Sequence, residues 1–416
     1  MTVSADVLDV EIPDLSDPAT FERGVPWEAF AAMRKMPGLY WQPTTVATQH
    51  GGFWAVTRLA DIQAIERDWK TFSSVYGASY PVMTPEPVEG PTANSLIVTD
   101  PDRHTRLRRV AAKGFAPRVV ANFDPWVREI VRATIARATE KGEEFDFIQE
   151  FARTIPAHVM AKVIGVPPED WPVIVDFASA VFAATQQTDG LGPGEGTWER
   201  VTEELGKIAV YSETLRAIKR EHPADDMATV ISRCVDEGEI NFDEFVGWIQ
   251  QLIAAGFETT HTAIAHSMRM YLEDSEVQQA TDRALDEGQI ANAVDEYVRM
   301  ISPPMQMART VTRDIEICGE QMRRGDVVVL YFIAANRDET VFSEPDRFDP
   351  WRPEKRSIAF GSGVHSCIGA HLARLELRIL WEELRAADFR LRLNGTPRRG
   401  PSNMVNQLIE LPVARI

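Results

Sequence analysis

A run of helix-forming sequence from Asn241 to Asp274 constrains the fold more than any other segment. Asn241 is followed three residues later by Glu244, which resembles a capping box at a helix start. Apolar residues beyond this cap cover several faces, so the helix is expected to be buried. At ~1.5 Å per residue the segment would span about 50 Å, enough to cross a whole domain. A chain built around such a helix should be mainly α-helical.

The middle of this helix is a poor helical sequence that reads Ala255-Gly256-Phe257-Glu258-Thr259-Thr260. Glycine costs about 1 kcal/mol relative to alanine inside a helix, and a buried glutamate needs a partner. Two interpretations are open. The first is a kink or a packing notch. The second is a widened turn where a ligand meets the backbone, beside an acid and a hydroxyl that can pass protons.

The rest of the chain predicts one α-rich unit with a smaller β-rich part, spanning residues 1–416 with an extended segment over 1–20. Helical periodicity dominates from about 61 to 293. Pro- and Gly-rich segments at 80–92 and 188–196 predict mobile loops. Strands are predicted at 53–57, 315–317, 327–330 and 408–411.

Charge and cysteine content exclude several classes of protein. The chain has 44 Lys and Arg against 62 Asp and Glu, a net charge of −18 that should repel nucleic acid. We expect a cytoplasmic protein without a membrane anchor, because no signal peptide is recognisable and the longest apolar run, 327–335, is too short to span a bilayer. Three cysteines far apart in sequence indicate a reducing compartment and no disulfide framework.

The stretch from Phe360 to Gly369 carries the strongest chemical signal. Its glycines allow tight turns and close approach to a flat ligand. Cys367 precedes a predicted helix that starts near Ala370, where the helix dipole favours a thiolate. Zinc is disfavoured because no second cysteine lies nearby, whereas a Cys–His nucleophile with His365 remains open.

The pattern Phe360-x-x-Gly363-x-His365-x-Cys367-x-Gly369, followed by Leu372-Ala373-Arg374, resembles the haem-binding signature of the cytochrome P450s. Three more segments resemble that family, in its order. They are 100–108, similar to the helix that binds a haem propionate; 255–259, similar to the oxygen-activation groove; and 296–299, similar to the Glu-x-x-Arg pair. The resemblance implies the cytochrome P450 fold, a helical bundle around a buried haem.

The resemblance also assigns roles to individual residues. Cys367 would be the axial thiolate of haem b (iron protoporphyrin IX), and a thiolate favours cleavage of the O–O bond. Thr259 and Glu258 would deliver protons during dioxygen activation. Glu296 and Arg299 would stabilise the core beneath the haem. The propionates would be bound by His104, Arg108, Arg309 and His365, and the rest of the haem would contact Phe360, Gly361, Gly369, Ala255 and Gly256.

Spacing alone does not single out Glu296 and Arg299. The same spacing occurs at Glu129/Arg132, Glu213/Arg216 and Glu382/Arg385, where solvated i,i+3 ion pairs are expected. Only the position of Glu296, 367 − 296 = 71 residues before the cysteine, distinguishes it.

An apolar pocket above the haem is expected to bind the substrate. Segments 52–57 and 307–310 and the end segment around Ser402 and Asn403 resemble bacterial members that act on sterol side chains and terpenes. We therefore expect a steroid, a terpenoid or another apolar alkyl or aromatic compound. The candidate lining residues are Leu96, Ile97, Val98, Ile253, Ala254, Met305, Met307, Met404 and Val405.

Electrons should come from a ferredoxin and its NAD(P)H-dependent reductase, acting on a monomeric enzyme. Residues 103–118 contain six Arg or Lys and no acid, which predicts a docking surface helped by Arg374 or Arg378. The leading hypothesis is a monooxygenase that uses dioxygen to hydroxylate an unactivated C–H bond. The alternatives are a non-catalytic haem protein that senses or carries apolar ligands, a peroxide-driven peroxygenase, and a Cys–His hydrolase. The Glu258-Thr259 pair disfavours the sensor and the peroxygenase, and a hydrolase would bind no haem.

Overall fold

Helices form the larger part of the structure, a computed structural model that describes residues 10–185 and 197–416. The loop predicted at 188–196 lies outside the described residues. None of the described helices is both long and apolar enough to cross a membrane. The helices are α1 (Pro18–Glu22), α2 (Trp27–Lys35), α3 (Leu59–Arg67), α4 (Arg103–Ala112), α5 (Pro117–Ala121), α6 (Asp124–Lys141), α7 (Thr154–Ile164), α8 (Trp171–Thr185), α9 (Thr197–Glu221), α10 (Met227–Asp236), α11 (Phe242–Glu273), α12 (Ser275–Asp286), α13 (Ile290–Ile301), α14 (Phe332–Ala335) and α15 (Ala370–Ala386).

Twelve short strands in the described residues form a smaller β part. They are β1 (Tyr40–Pro43), β2 (Gly52–Val56), β3 (Phe72–Ser73), β4 (Glu144–Asp146), β5 (Met307–Val311), β6 (Ile315–Ile317), β7 (Glu320–Met322), β8 (Val327–Leu330), β9 (Leu391–Leu393), β10 (Arg398–Arg399), β11 (Leu408–Glu410) and β12 (Pro412–Arg415). The largest sheet has the order β1-β2-β8-β5-β3, and only β2 and β8 pair in parallel within it. The four predicted strands are confirmed as β2, β6, β8 and β11, with end points that differ by at most one residue.

The long helix predicted from the sequence is confirmed as α11. Its side-chain cap is the expected one, because Asn241 accepts a hydrogen bond from the Glu244 backbone while the Glu244 carboxylate accepts one from the Asn241 backbone. Twenty of its 32 residues are buried, and it packs against α7, α8, α9 and α15 in the main hydrophobic core. This central helix and α15 position the candidate site between them.

Short irregular segments complete the frame around α11. Most of the predicted loop at 80–92 has no helix or strand, and its last two residues begin the first of two 3₁₀ turns, Pro91–Asn94 and Leu96–Val98. The first turn lies directly on α11, since a Cβ added to Gly247 would be 2.5 Å from the Asn94 carbonyl oxygen. Glycine at 247 therefore allows the 91–98 segment to cross the central helix closely.

Candidate functional site

Cys367 lies in a tight loop between a 3₁₀ turn, Gly363–His365, and the start of α15. Its backbone N–H donates to the Phe360 carbonyl at 2.8 Å. Gly361 and Gly363 have φ angles of 65° and 63°, in the left-handed region that glycine tolerates best. Gly363 also has no room for a side chain, because an added Cβ would be 2.7 Å from the Glu66 carbonyl oxygen. The loop thus depends on its glycines, as the sequence predicted.

Two opposing influences act on the Cys367 thiol. The residue has exposed surface, yet burial by the surrounding protein raises the pKa of its thiol. The surface it presents therefore faces an enclosed space and not bulk solvent. The backbone N–H groups of Gly369 and Ala370 and the charges of Arg108 and Arg374 act in the opposite direction and stabilise the thiolate.

A stripe of incompletely buried residues runs through the middle of α11. Ala255 is exposed and Thr259, one turn later, is partly exposed, whereas Phe257, Glu258 and Thr260 are buried. The Thr259 hydroxyl donates to the Ala255 carbonyl at 2.7 Å. In the interior of a structure, open surface of this kind indicates a ligand cavity.

Gly256 serves as a packing notch, and the helix is not interrupted there. The α-helical pattern continues from 242 to 273, so the widened turn considered from the sequence is absent. A Cβ at Gly256 would lie 2.5 Å from the Met160 sulfur on α7. Glycine is needed because the methionine occupies the space, which is the simpler of the two interpretations of the hexapeptide.

Glu258 is buried next to His261, a residue that the sequence analysis did not single out. The distance from Glu258 Oε2 to His261 Nδ1 is 4.0 Å. Burial raises the pKa of Glu258 to about 8, against the opposing effects of Gln407 and Arg153. Burial also lowers the pKa of His261 to about 3. At neutral pH both groups are therefore uncharged, and Glu258 carries a proton that it can donate.

Four basic side chains predicted to bind haem propionates come together. The rings of His104 and His365 are 4.4 Å apart. Burial, with the charges of Arg108 and Arg309, lowers the pKa of His104 to about 4. Burial and the charges of Arg309, His104 and Arg108 lower the pKa of His365 to about 2. Such a cluster favours an anion, which would stabilise the charged forms.

The haem that the resemblance implies fits these residues. His104 Nε2 is buried without a hydrogen-bond partner among the described residues. Two ligand carboxylates would satisfy that nitrogen and neutralise Arg108 and Arg309. Gly369 leaves the Cys367 sulfur uncovered, since its added Cβ would lie 3.9 Å from Sγ. The site therefore offers a thiolate, an anion-binding end and a small-residue face at Ala255, as a flat dianionic ligand requires.

Glu66 on α3 links the basic cluster to the cysteine loop, and no motif in the sequence had indicated it. Its carboxylate lies 3.6 Å from Arg309 and accepts a hydrogen bond of 2.8 Å from the Ser362 backbone N–H. Burial raises the pKa of Glu66, whereas Arg309 and Ser362 lower it. Glu66 thereby connects Arg309 with the cysteine loop, although Glu66 and Ser362 are 296 residues apart in sequence.

Glu296 and Arg299 form a buried ion pair on α13. Two hydrogen bonds of 2.8 Å join the guanidinium to the carboxylate. Arg352 adds a third, of 2.9 Å, to the same carboxylate. Arg299 also donates to the Asn336 carbonyl at 2.6 Å, and the Asn336 side chain accepts from the Ile358 backbone at 2.7 Å. The pair thus supports the segment that enters the cysteine loop.

Three of the other Glu-x-x-Arg segments, Glu129/Arg132, Glu213/Arg216 and Glu382/Arg385, do not form the i,i+3 pairs expected from their spacing. Each arginine is paired with a carboxylate elsewhere in the fold, because a nearer or better placed partner is available. Arg132 pairs with Glu383, Arg216 with Asp236, and Arg385 with Asp282 and Asp286.

The predicted substrate residues separate into two groups. Leu96, Ile97, Ala254, Met307 and Met404 are partly exposed. Ile253 and Met305 are completely buried in hydrophobic clusters, so they leave no side-chain surface for a substrate; Val405 at 3% and Val98 at 9% leave little. Ile253 points away because it lies two residues before Ala255, on the opposite side of α11.

The predicted docking surface is smaller than the sequence suggested. Arg103 and Arg106 both bind the buried carboxylate of Glu244, and Arg374 binds Asp295. Arg378 is engaged as well, with Asp124 and Glu382. The cations of this stretch that are exposed and without an ion pair among the described residues are Arg109, Lys113 and Arg118.

Comparison with known proteins gives consistent matches along the chain. The family model described as Cytochrome P450 matches residues 207–391. Linalool 8-monooxygenase of Pseudomonas putida is 30% identical over 98% of this chain and 100% of its own length. Steroid C26-monooxygenase of Rhodococcus jostii is 28% identical over 96% of this chain and 84% of its own. The structure of the cytochrome P450 CYP268A2 of Mycobacterium marinum in complex with pseudoionone superimposes with a TM-score of 0.84 at 28% identity, covering 98% of this chain and 100% of that one.

Proposed function

The chain belongs to the cytochrome P450 family of haem b monooxygenases, and from that premise we propose that it hydroxylates an unactivated C–H bond of an apolar small molecule with electrons from a ferredoxin. The observation that carries this proposal is the pairing of an accessible Cys367 with the open stripe at Ala255 and Thr259. A protein that only stores or senses a ligand does not need a hydroxyl, such as that of Thr259, beside a protonated acid, such as Glu258. Relatives named for linalool and steroid oxidation support an apolar substrate.

Each residue of the site contributes one physical task. Bound haem supplies the iron at which dioxygen is activated. Cys367 would hold that iron through a thiolate stabilised by nearby N–H groups. Arg108 and Arg309 would neutralise the two propionates, and His104 and His365 would donate hydrogen bonds to them. Thr259 presents a hydroxyl to the cavity, and Glu258 holds a proton behind it. Apolar side chains exclude water around the substrate.

The proposal is tested with the haem-loaded protein, a ferredoxin, its reductase and NAD(P)H. We expect hydroxylated products from terpenoid or steroid compounds, dependent on dioxygen and on the ferredoxin. The reduced protein should also give the red-shifted Soret band of thiolate ligation with carbon monoxide. A protein that shows this band but oxidises no apolar compound would refute the proposed reaction while leaving the haem site intact.

Replacing Thr259 with alanine should uncouple electron use from product formation. Haem and substrate binding should persist, because the side chain makes only a local hydrogen bond to Ala255. Without the hydroxyl, we expect product per NAD(P)H to fall by about tenfold or more and hydrogen peroxide to rise. Both yields are measured in the same reaction.

Two variants control this experiment. Thr259→Ser keeps a hydroxyl and should retain most of the coupling. Thr260→Ala changes the adjacent, buried threonine, which is only 3% exposed and lies off the open stripe. Unchanged coupling in Thr259→Ala, or equal uncoupling in Thr260→Ala, would contradict the role of Thr259.

Arg109 and Lys113 should govern the rate of reduction by an acidic ferredoxin. Arg109 lies on α4 and Lys113 directly follows this helix, whose Arg108 reaches Ser366 in the cysteine loop at 3.4 Å. Reversing both charges, in Arg109→Glu/Lys113→Glu, should lower the reduction rate roughly tenfold at low salt. The wild-type rate should fall as salt rises, since surface attraction is screened within ~10 Å at 0.1 M. Stopped-flow reduction of the haem measures both effects.

The matched control is Arg324→Glu, which reverses an exposed charge in the turn between β7 and β8. It should leave the reduction rate and the salt dependence unchanged. A wild-type rate that is independent of salt would contradict docking at this surface.

A further inference from the structure

The open stripe on α11 continues one turn towards the helix N-terminus, to Gln251. Gln251 is partly exposed, whereas its neighbours Gln250 and Leu252 are buried. With Ala255 and Thr259 it follows the i, i+4, i+8 spacing of one helix face. Eight residues correspond to ~12 Å along the axis. The cavity face of α11 therefore has a polar residue at a position about 12 Å along the helix axis from Thr259.

The orientation of the Gln251 amide is fixed by the segment that crosses α11. Its Oε1 accepts hydrogen bonds from the Ser95 hydroxyl and, at 3.4 Å, from the Ile97 backbone N–H. A backbone N–H can only donate, so the oxygen must face Ser95 and Ile97. The Nε2 group is directed elsewhere and has no hydrogen-bond partner in the part of the chain that the structure describes. Gln251 thus has unused donors on the open face.

Resting on the proposed function, we propose that Gln251 donates a hydrogen bond to a neutral oxygen of the substrate. The substrate class is an elongated apolar molecule with a hydroxyl, ketone or ester oxygen at the end remote from the oxidised carbon, a separation on the order of the ~12 Å between Gln251 and Thr259 along α11. Two features favour a neutral oxygen over a carboxylate. The amide carries no charge, and the partly exposed residues close to it, Ser95, Leu96, Ile97 and Ala254, are uncharged.

Gln251 is a specificity-determining residue in this proposal, and a search for apolar lining residues misses it because its side chain is polar. An amide inside a buried helix costs free energy unless it is hydrogen-bonded, and two partners satisfy only its oxygen. An apolar ligand would leave the N–H donors dry and unpaired. A ligand oxygen would accept a hydrogen bond from one of them. The ligand would therefore bind more tightly than a hydrocarbon of the same shape.

The test compares ligand pairs that differ by one hydroxyl: 5α-androstan-3β-ol with 5α-androstane, and dodecan-1-ol with dodecane. Dissociation constants are measured on the haem-loaded protein from the spin-state change and by calorimetry. The ratio of hydrocarbon Kd to alcohol Kd should fall about tenfold from wild type to Gln251→Met, the value of one net hydrogen bond. Comparing the same ratio between wild type and variant cancels the differing solubilities of the two ligands in each pair.

Ser95→Ala is the matched control for a purely structural role. It weakens the link between the 91–98 segment and α11 but keeps the amide, so the ratio should stay within a few-fold of wild type. An unchanged ratio in Gln251→Met, or an equal loss in both variants, would overturn the proposal. If the test compounds are still hydroxylated in that case, the proposed function stands and only the role of Gln251 is refuted. If none of the four compounds binds the wild type, both the specificity proposal and the proposed apolar substrate class fail.

Discussion

Cys367→Ser should abolish the red-shifted Soret band of the reduced protein with carbon monoxide and eliminate hydroxylation. A serine hydroxyl is a far weaker electron donor to iron than a thiolate, so O–O cleavage loses its driving force. We expect product formation to fall by at least ~100-fold, equivalent to about 2.7 kcal/mol of transition-state stabilisation. The fold should survive, because the loop is held by Phe360, Glu66 and its glycines and not by the sulfur.

The chain provides two matched controls for this substitution. Cys234 and Cys318 are partly buried, and burial together with neighbouring acids raises the pKa of each to about 11. Both therefore stay protonated thiols at neutral pH. Cys234→Ser and Cys318→Ser should keep the spectrum and the activity. A Cys367→Ser protein with the wild-type carbon monoxide spectrum would contradict the assignment of the axial ligand.

The parts of the fold that could be predicted are those determined by residues close together in sequence. The start of α11 follows from Asn241 and Glu244, whose reciprocal capping needs only four residues of sequence. The start of α15 follows from the change from a glycine-rich loop to strong helix formers after Gly369. In each case the interacting groups are close in sequence, so no knowledge of tertiary structure is required.

Predictions failed where a distant residue supplied the partner. The sequence predicts an unpaired basic surface at 103–118, but Glu244, about 140 residues away, forms ion pairs with Arg103 and Arg106. Similarly, Glu66 could not be connected with Ser362 across 296 residues. Long-range ion pairs leave no periodic pattern, because they depend on how separate elements meet.

The direction in which a helical residue points was the other source of error. Ile253 is apolar and close to the groove, which made it a natural candidate for substrate contact. On α11 it faces the core, whereas the polar Gln251 faces the cavity. A helix that is apolar on several faces does not reveal from sequence which face remains open. The structure supplies that face through the burial of each residue.

Arg299→Ala should be the most destabilising single substitution considered for this protein. Burial alone would raise the pKa of Glu296, but Arg299, the Asp349 N–H and Arg352 hold it below its usual value. Removing Arg299 leaves a buried carboxylate, 4% exposed, with fewer partners. Breaking a buried pair in this way costs ~3–5 kcal/mol. Because total stability is typically about 5–15 kcal/mol, much of the haem-loaded protein should be lost.

Chemical denaturation followed by circular dichroism, and haem content after purification, measure this loss. Arg347→Ala is the matched control, because Arg347 pairs with Glu344 at the same i,i+3 spacing but with side chains 59% and 69% exposed. Water already solvates that pair, so its removal should change the free energy of unfolding by no more than ~0.5 kcal/mol. Equal effects of the two substitutions would mean that burial of the Glu296–Arg299 pair does not stabilise the segment leading to the cysteine loop. A large effect of Arg299→Ala alone would show that a Glu–Arg pair at i,i+3 spacing stabilises the fold only where the pair is buried from water.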